Sequence, residues 1–97
     1  MIKGGHVYIM TNKPFGILYT GVTAKLPERV FHHRAGLGSI FCKQWGLKRL
    51  VYAEPFGEIA DAIAREKAIK NWPRLWKLRL ISEQNPEWLD LFETLNG

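Results

Sequence analysis

The sequence predicts an α+β fold in which helices cover a small, mainly antiparallel sheet. Short runs of β-branched and aromatic residues alternate with longer segments of helical periodicity, in the order β-β-α-β-α-α-α. This order is typical of an α+β domain. The chain has 97 residues and contains no linker, repeat or low-complexity tract, so we expect one domain over residues 1–97.

The first two strands are predicted to form a β-hairpin. Residues 7–10 and 17–20 are rich in β-branched and aromatic side chains, and residues 12–16 between them contain the Pro and Gly of a turn. A third strand is predicted over residues 48–53 and stops near Pro55. Three short strands of this kind are enough for a small sheet with one or both faces covered.

Helical periodicity predicts four helices. The first covers residues 26–37 and ends at Gly36 or Gly38, and its apolar face contains Leu26, Val30, His33 and Leu37. The second covers residues 58–71, and Pro73 ends it and begins the third, which extends to residue 84. A last short helix begins at Asn85-Pro86 and carries Trp88, Leu91, Phe92 and Leu95.

The composition favours a soluble protein with an anionic partner. Fourteen Lys and Arg against nine Asp and Glu give a net charge of +5, and nucleic acid is the most abundant anionic partner. The alternative is that the charge serves solubility alone. Cys42 is the single cysteine and cannot form an intrachain disulfide, and the sequence contains neither a signal-peptide core nor an apolar run of membrane-spanning length. We therefore expect a cytoplasmic protein without membrane contact.

Two tyrosines occupy opposite arms of the predicted hairpin. If position i pairs with position 27−i, Tyr8 and Tyr19 lie directly opposite and project from one face of the sheet. A slip of one residue would send them to opposite faces, and the sequence leaves that register open. The alternative to a shared functional site is a pair of half-buried tyrosines that only pack.

Arg29 and His33 are four residues apart on the first helix and are therefore neighbours on its surface. The helical wheel puts His33 close to the apolar stripe and Arg29 on its flank, so both are predicted to point toward the sheet edge. His32 is splayed away from His33, which makes a shared metal site improbable on geometric grounds. The alternative for His33 is a hydrogen-bonded core histidine.

Glu66 falls inside the apolar stripe of the second predicted helix, with Ile59, Ala62, Ile63 and Ile69. A buried carboxylate without a partner costs several kcal/mol, so Glu66 needs a cation or a wet cleft. One alternative is an ion pair with Lys70, four residues further on. The other is a divalent-metal ligand that faces a phosphate site. Position alone does not separate the two.

Other chemistries have little support in the sequence. It contains no Walker or Rossmann phosphate loop, no Cys-x-x-Cys pair and no His-Glu-x-x-His motif. Cys42 has no candidate base near it in sequence, so it is predicted to pack or to lie exposed without reacting. The tryptophans could stack on nucleobases, but at helical and strand-edge positions they more often pack. They are Trp45, Trp72, Trp76 and Trp88.

Taken in order along the chain, these residues resemble the GIY-YIG nuclease family. The similar stretches are Val7-Tyr8-Ile9, Tyr19-Thr20-Gly21, the Arg29 and His33 pair, and Glu66. The resemblance extends from about residue 6 to residue 95 and is strongest to small stand-alone bacterial members related to the amino-terminal nuclease domain of the excinuclease subunit UvrC. It implies a three-stranded antiparallel sheet flanked by helices.

The resemblance also implies an activity, which is the cleavage of DNA phosphodiester bonds with Mg²⁺ or Mn²⁺, in DNA repair or recombination. By position, Tyr8, Tyr19, Arg29, His33 and Glu66 match the family's catalytic residues. Arg29 matches the residue that contacts the phosphate and Glu66 the metal ligand. Either tyrosine could orient or deprotonate the attacking water. Further candidates for contacts with DNA are Lys25, Arg34 and Lys70.

The sequence departs from the family pattern in three places. The first motif lacks its glycine, Val22-Thr23 stand where some relatives carry a lysine, and the late asparagine has only Asn71 and Asn85 as candidates. Two rival functions remain open. One is a nucleic-acid-binding module that does not cleave, and the other is a protein-interaction domain with an exposed apolar patch. That patch would consist of Trp72, Trp76, Trp88 and Phe92.

Overall fold

A three-stranded antiparallel sheet forms the centre of the fold, as the sequence predicts. The computed structural model describes residues 4–96. Its strands are β1 (Gly5–Thr11), β2 (Leu18–Thr23) and β3 (Arg49–Phe56), in the spatial order β2-β1-β3. β1 is therefore the central strand, and β2 and β3 each have one strand neighbour.

Helices cover both faces of this sheet. They are α1 (Leu26–Arg34), α2 (Ile40–Trp45), α3 (Ile59–Lys70) and α4 (Arg74–Gln84), and a 3₁₀ helix (Leu91–Asn96) follows near the C-terminus. None of the helices in the described residues is both long and apolar enough to cross a membrane. The architecture is thus the predicted α+β fold, with one more helix than predicted.

The helix boundaries differ from the prediction at three places. α1 ends at Arg34 because Gly36 adopts a φ of 76° and the Gly36 and Leu37 amides bond back to the His33 and His32 carbonyls, so Leu37 lies beyond the helix and is exposed. α2 was not predicted. The last helix begins at Leu91, not at Asn85, since Trp88 has a positive φ of 54° that no α-helix accommodates.

α2 has local signals that explain why it forms. The Ser39 hydroxyl accepts a hydrogen bond from the Cys42 amide at 3.4 Å and caps its first turn, and Gly46 ends it with a φ of 64°. At six residues it is too short for apolar periodicity to indicate it. Cys42 on this helix is buried, and burial raises the pKa of its thiol to about 11, so it stays protonated and unreactive.

The sheet separates two apolar layers. One contains Val7 and Ile9 together with side chains of α3 and α4, among them Ala62, Ile69 and Ile81. The other contains Tyr8 and Met10 together with side chains of α1 and α2, among them Leu26, Val30 and Cys42. Alternate residues of β1 therefore supply both layers, which is why residues 7–10 of this central strand form a continuous run of apolar and aromatic side chains.

β3 contains a β-bulge, which the sequence did not predict. The pairing with β1 passes from Ile9–Tyr52 to Met10–Leu50, so Val51 is an extra residue on β3. Val51 and Tyr52 consequently both pack in the layer of α3 and α4, although they are consecutive. The Asn85 side chain donates to the Val51 carbonyl at 3.1 Å and so provides a partner for the bulged residue.

The predicted patch of exposed aromatic residues does not exist as a unit. Trp88 is completely buried, donates from its indole nitrogen to the Ser82 hydroxyl at 2.9 Å, and packs against Phe15. Phe92 and Trp72 are half-buried, and Trp76 is exposed. Burial of Trp88 thus removes the centre of the surface on which the protein-interaction alternative depended.

Candidate active site

Tyr8, Tyr19 and His33 form one aromatic cluster on the α1 side of the sheet. The hydroxyl of Tyr8 and Nε2 of His33 are 2.9 Å apart and share a buried hydrogen bond. The Tyr19 ring centre lies 6.3 Å from that of Tyr8 and 5.5 Å from that of His33. Three residues that the sequence proposed separately are therefore in mutual contact.

The hairpin brings the two tyrosines together, but its register differs from the predicted one. Tyr8 pairs with Gly21, and Tyr19 pairs with Met10, so the register is shifted by two residues from the 27−i pairing. A shift of two preserves the face on which each side chain projects, whereas a shift of one would have reversed it. The tyrosines are diagonal neighbours on one face.

Gly21 provides the space that the Tyr8 ring occupies. A Cβ atom at position 21 would lie 2.5 Å from both the hydroxyl oxygen and Cζ of Tyr8, closer than atoms can approach. The glycine of the second motif is therefore required by the tyrosine of the first, because the Tyr8 ring lies across the backbone of β2. The first and second sequence motifs are therefore in direct contact through Tyr8 and Gly21.

Both members of the Tyr8–His33 hydrogen bond are neutral near pH 7. Burial raises the pKa of Tyr8 above its ordinary value, the nearby Tyr19 adds to the rise, and Arg29 opposes it. Burial lowers the pKa of His33, and the positive charge of Arg29 lowers it further. The pair is thus a phenol and an imidazole, and Tyr8 is poorly suited to be a base.

A close approach of backbone also positions the His33 ring. A Cβ atom at Gly38 would lie 2.7 Å from Nδ1 of His33, so the loop after α1 can pass the ring only with glycine at that position. Nδ1 itself is buried and has no hydrogen-bond partner among the described residues. The ring is therefore held by Tyr8 on one side and by close packing on the other.

Arg29 lies one helical turn before His33 and is exposed. It lines a cavity of about 300 Å³, which is also lined by Thr23, Ala24, Lys25, Glu28 and His32. Lys25 and Glu28 form a loose ion pair at 4.0 Å. The guanidinium of Arg29 is thus open to an anion at the surface, next to the buried Tyr8–His33 pair.

Glu66 approaches from the other layer of the fold. It lies on α3 between the buried residues Ala62 and Ile69, and only 8% of its surface is exposed. Its Oε2 contacts Nζ of Lys70 at 2.6 Å, so the predicted ion pair is present. Ile63, which the sequence placed in the same stripe, is instead 38% exposed. Within residues 4–96 no three His, Cys, Asp or Glu side chains are grouped closely enough to hold a metal.

The further DNA-contact candidates have different surroundings. Lys25 lines the cavity beside Arg29, and Lys70 pairs with Glu66. Arg34 donates to Asp90 at 2.6 Å, and its guanidinium lies 4.5 Å from the centre of the Phe92 ring. Much of the charge of Arg34 is therefore engaged within the fold, whereas Lys25 is exposed.

Sequence reasoning missed three neighbours of the cluster. The ring of Phe41 stacks on Tyr19 with centroids 6.3 Å apart, and it belongs to α2, which was not predicted. His32 points away from His33, as adjacent helical residues do, and it lines the cavity beside Arg29. Gly38, which the sequence predicts only as a possible end of the first helix, lies against the His33 ring. For Phe41, the Ser39 cap followed by Gly46 was the signal that could have located it.

The chain has recognisable relatives. The model of the GIY-YIG catalytic domain family matches residues 4–79, which is most of the chain. A UPF0213 protein of Staphylococcus saprophyticus is 38% identical over 78 residues, covering 80% of this chain and 94% of the relative. A UPF0213 protein of Clostridium perfringens is 39% identical over 80 residues, covering 82% of this chain and 85% of the relative. No solved structure matches the chain significantly. The chain therefore belongs to the GIY-YIG family of nuclease domains, as its sequence predicted.

Proposed function

We propose that this protein is an endonuclease that hydrolyses phosphodiester bonds in DNA with the help of a divalent metal ion. The observation that carries the proposal is the buried Tyr8–His33 hydrogen bond beside the exposed guanidinium of Arg29. A phosphate group bound by Arg29 would meet an already ordered set of hydroxyl and imidazole groups. Such preorganisation is the main source of rate enhancement where charge develops on phosphoryl oxygens.

The surroundings of each residue suggest its role. Arg29 stabilises negative charge on the phosphoryl oxygens, since its planar guanidinium can donate two hydrogen bonds to one phosphate. Tyr8 and His33 act as a hydrogen-bonded unit, because the raised pKa of Tyr8 keeps its proton in place. Tyr19 is half-buried at the open side of the cluster, so its hydroxyl is the better candidate to orient the attacking water.

Glu66 fits the role of a metal ligand in chemical terms. Mg²⁺ and Mn²⁺ prefer oxygen ligands, and Mg²⁺ is commonly bound by one or two carboxylates, substrate phosphates and water. Oε2 of Glu66 pairs with Lys70, and the other carboxylate oxygen, which makes no ion pair or hydrogen bond within residues 4–96, remains available to a metal ion. When bound, the metal supplies positive charge that stabilises the leaving oxygen. DNA repair or recombination is the setting that we propose for such an enzyme.

Nicking of supercoiled plasmid in the presence of Mg²⁺ or Mn²⁺ tests this proposal. We expect the wild type to nick, and a chelator to stop the reaction. Glu66→Gln should lower the rate at least ~100-fold while it leaves DNA affinity nearly unchanged, because it removes the charge that would hold the metal. The matched control is Lys70→Ala, which breaks the same ion pair but keeps the carboxylate, and should retain activity within about tenfold.

Three results would contradict the metal assignment. The first is cleavage by Glu66→Gln at the wild-type rate, and the second is cleavage that a chelator does not affect. The third is an equal loss in Glu66→Gln and Lys70→Ala, which would show that the ion pair, and not a metal, is what activity requires. Absence of any nicking by wild-type protein that binds DNA would instead favour the non-cleaving binding module.

A further inference from the structure

The positive charge of the chain is concentrated in one segment. Residues 65–80, which cover the second half of α3 and the first half of α4, contain six basic residues and one acidic residue. The rest of the chain contains eight of each. The whole net charge of +5 is therefore carried by this segment, and it attracts anions over a distance of about 8–10 Å at ordinary ionic strength.

Most of these cations are not neutralised within the fold. Among residues 4–96, no carboxylate lies within ion-pair distance of Lys67, Arg74, Lys77 or Arg79. Arg74 donates to the carbonyls of Phe15 and Gly16, which fixes its side chain without cancelling its charge. The α3–α4 face, defined here as the surface of residues 65–80, thus presents four uncompensated positive charges.

Two tryptophans lie among these charges. Trp76 is 51% exposed, and its ring makes an edge contact with the ring of Trp72 at 5.9 Å. The guanidinium of Arg65 lies 5.0 Å from the centre of the Trp72 ring and holds that ring in place. A cavity of about 230 Å³ opens between the two indoles and is also lined by Arg79, Leu80 and Glu83. An aromatic surface is therefore exposed directly beside the guanidinium of Arg79, which makes no ion pair within residues 4–96.

We propose that the α3–α4 face binds single-stranded nucleic acid, with Trp76 as the platform on which an unpaired base stacks. Cationic grooves combined with exposed aromatic rings are the common solution for binding single strands, because every unpaired base offers a flat face. A duplex hides those faces. A protein partner is disfavoured, since this face carries Lys67 and Lys77, and lysine is depleted at protein interfaces.

Trp76 and the cavity beside it are separate from the Tyr8–His33 cluster, although residues 65–80 also contain Glu66 and Lys70 of the candidate active site. α4 contributes Ile81 to the layer that contains Val7 and Ile9, whereas Tyr8 and His33 lie on the other face of the sheet. The inference therefore goes beyond the proposed function and does not require the chain to cleave DNA. Its test is a binding measurement without divalent metal, so failure of the nuclease proposal would leave it unaffected.

Fluorescence anisotropy with a labelled oligo(dT) strand, and with a duplex of equal length, tests the proposal in the presence of a chelator. We expect Trp76→Ala to weaken binding of the single strand about tenfold or more and binding of the duplex less than about twofold. Trp76→Phe should restore most of the affinity because it keeps a flat ring. The matched control is Trp45→Ala, since Trp45 is 49% exposed and lies on α2.

The salt dependence provides a second readout. Four phosphate contacts on a single strand predict that log K falls with log salt at a slope of about −3. The proposal is overturned if Trp76→Ala binds oligo(dT) like the wild type, or if Trp45→Ala loses as much affinity. It is also overturned if Trp76→Ala abolishes self-association in sedimentation while leaving strand binding intact, because the aromatic face would then be a contact between copies of the chain.

Discussion

Gly21 is the residue whose replacement most directly tests the geometry of the aromatic cluster. In Gly21→Ala the added methyl group meets the Tyr8 ring at 2.5 Å, so the ring or β2 must shift. We expect the free energy of unfolding to fall by about 1–3 kcal/mol, as for other overpacked cores. Cleavage should fall as well, although every chemical group of the site remains.

Urea unfolding measures that change. Gly57→Ala is the control, because a Cβ atom at position 57 has no neighbour within 4 Å and should alter stability little. Equal stabilities of Gly21→Ala and the wild type would mean that Tyr8 does not lie across β2 in solution.

His33 should make stability depend on pH as the solution is acidified through and below the ordinary imidazole pKa of about 6.5. Its pKa is lowered in the folded state, chiefly by burial and then by Arg29, so near its ordinary value the unfolded chain binds more protons than the folded one. The stability that neutral His33 contributes is present above the unfolded pKa and is lost as pH falls toward the folded pKa. We therefore expect the wild type to become less stable as the solution is acidified.

Urea unfolding at several pH values checks this sign. His33→Gln should flatten the dependence, and His32→Gln, which changes an exposed neighbour on the same helix, should keep it. A wild-type profile that stays flat as the pH falls below about 6.5, or one that rises on acidification, would be inconsistent with a buried neutral His33.

At the scale of elements, Asp90 joins three segments that are far apart in sequence. Its Oδ2 accepts from Arg34 on α1 at 2.6 Å, and its Oδ1 accepts from the amides of Leu50 on β3 and Phe92 near the C-terminus. Asp90→Ala leaves these donors without their partner, so we expect unfolding to become easier by about 2–3 kcal/mol. Asp90→Asn should cost less, because it retains an acceptor oxygen. Glu93→Ala, an exposed change nearby, is the control, and thermal melting distinguishes the three.

The elements that the sequence predicted well have repeated local signals. Runs of β-branched and aromatic residues around a Pro/Gly turn identified the hairpin, apolar spacing identified α1 and α3, and Pro73 marked the start of α4. The features that the sequence did not predict have few such signals. The two-residue shift in the hairpin changes no side chain's face, so the apolar pattern could not detect it. The bulge at Val51 depends on Asn85, which is 34 residues away.

At the scale of the whole molecule, the sequence identified the candidate site residues but not the layers to which they belong. Tyr8, Tyr19 and His33 share one side of the sheet, whereas α3 brings Glu66 from the side of Val7 and Ile9. A helical wheel shows which face of a helix is buried. It does not show against which of the two faces of the sheet that helix packs. That assignment follows from tertiary packing of the complete chain.

The outer sides of β2 and β3 have different neighbours. This difference determines at which edge another polypeptide could add a strand to the sheet. The C-terminal segment already engages the outer side of β3, through Asp90 at the Leu50 amide and Asn85 at the Val51 carbonyl. β2 has no strand on its outer side among residues 4–96, and it is only six residues long. Short edge strands discourage the templated growth that leads to aggregates. Addition of a foreign strand at β2 would lay it along Tyr19 and Gly21, so aggregation at this edge would also block access to the aromatic cluster.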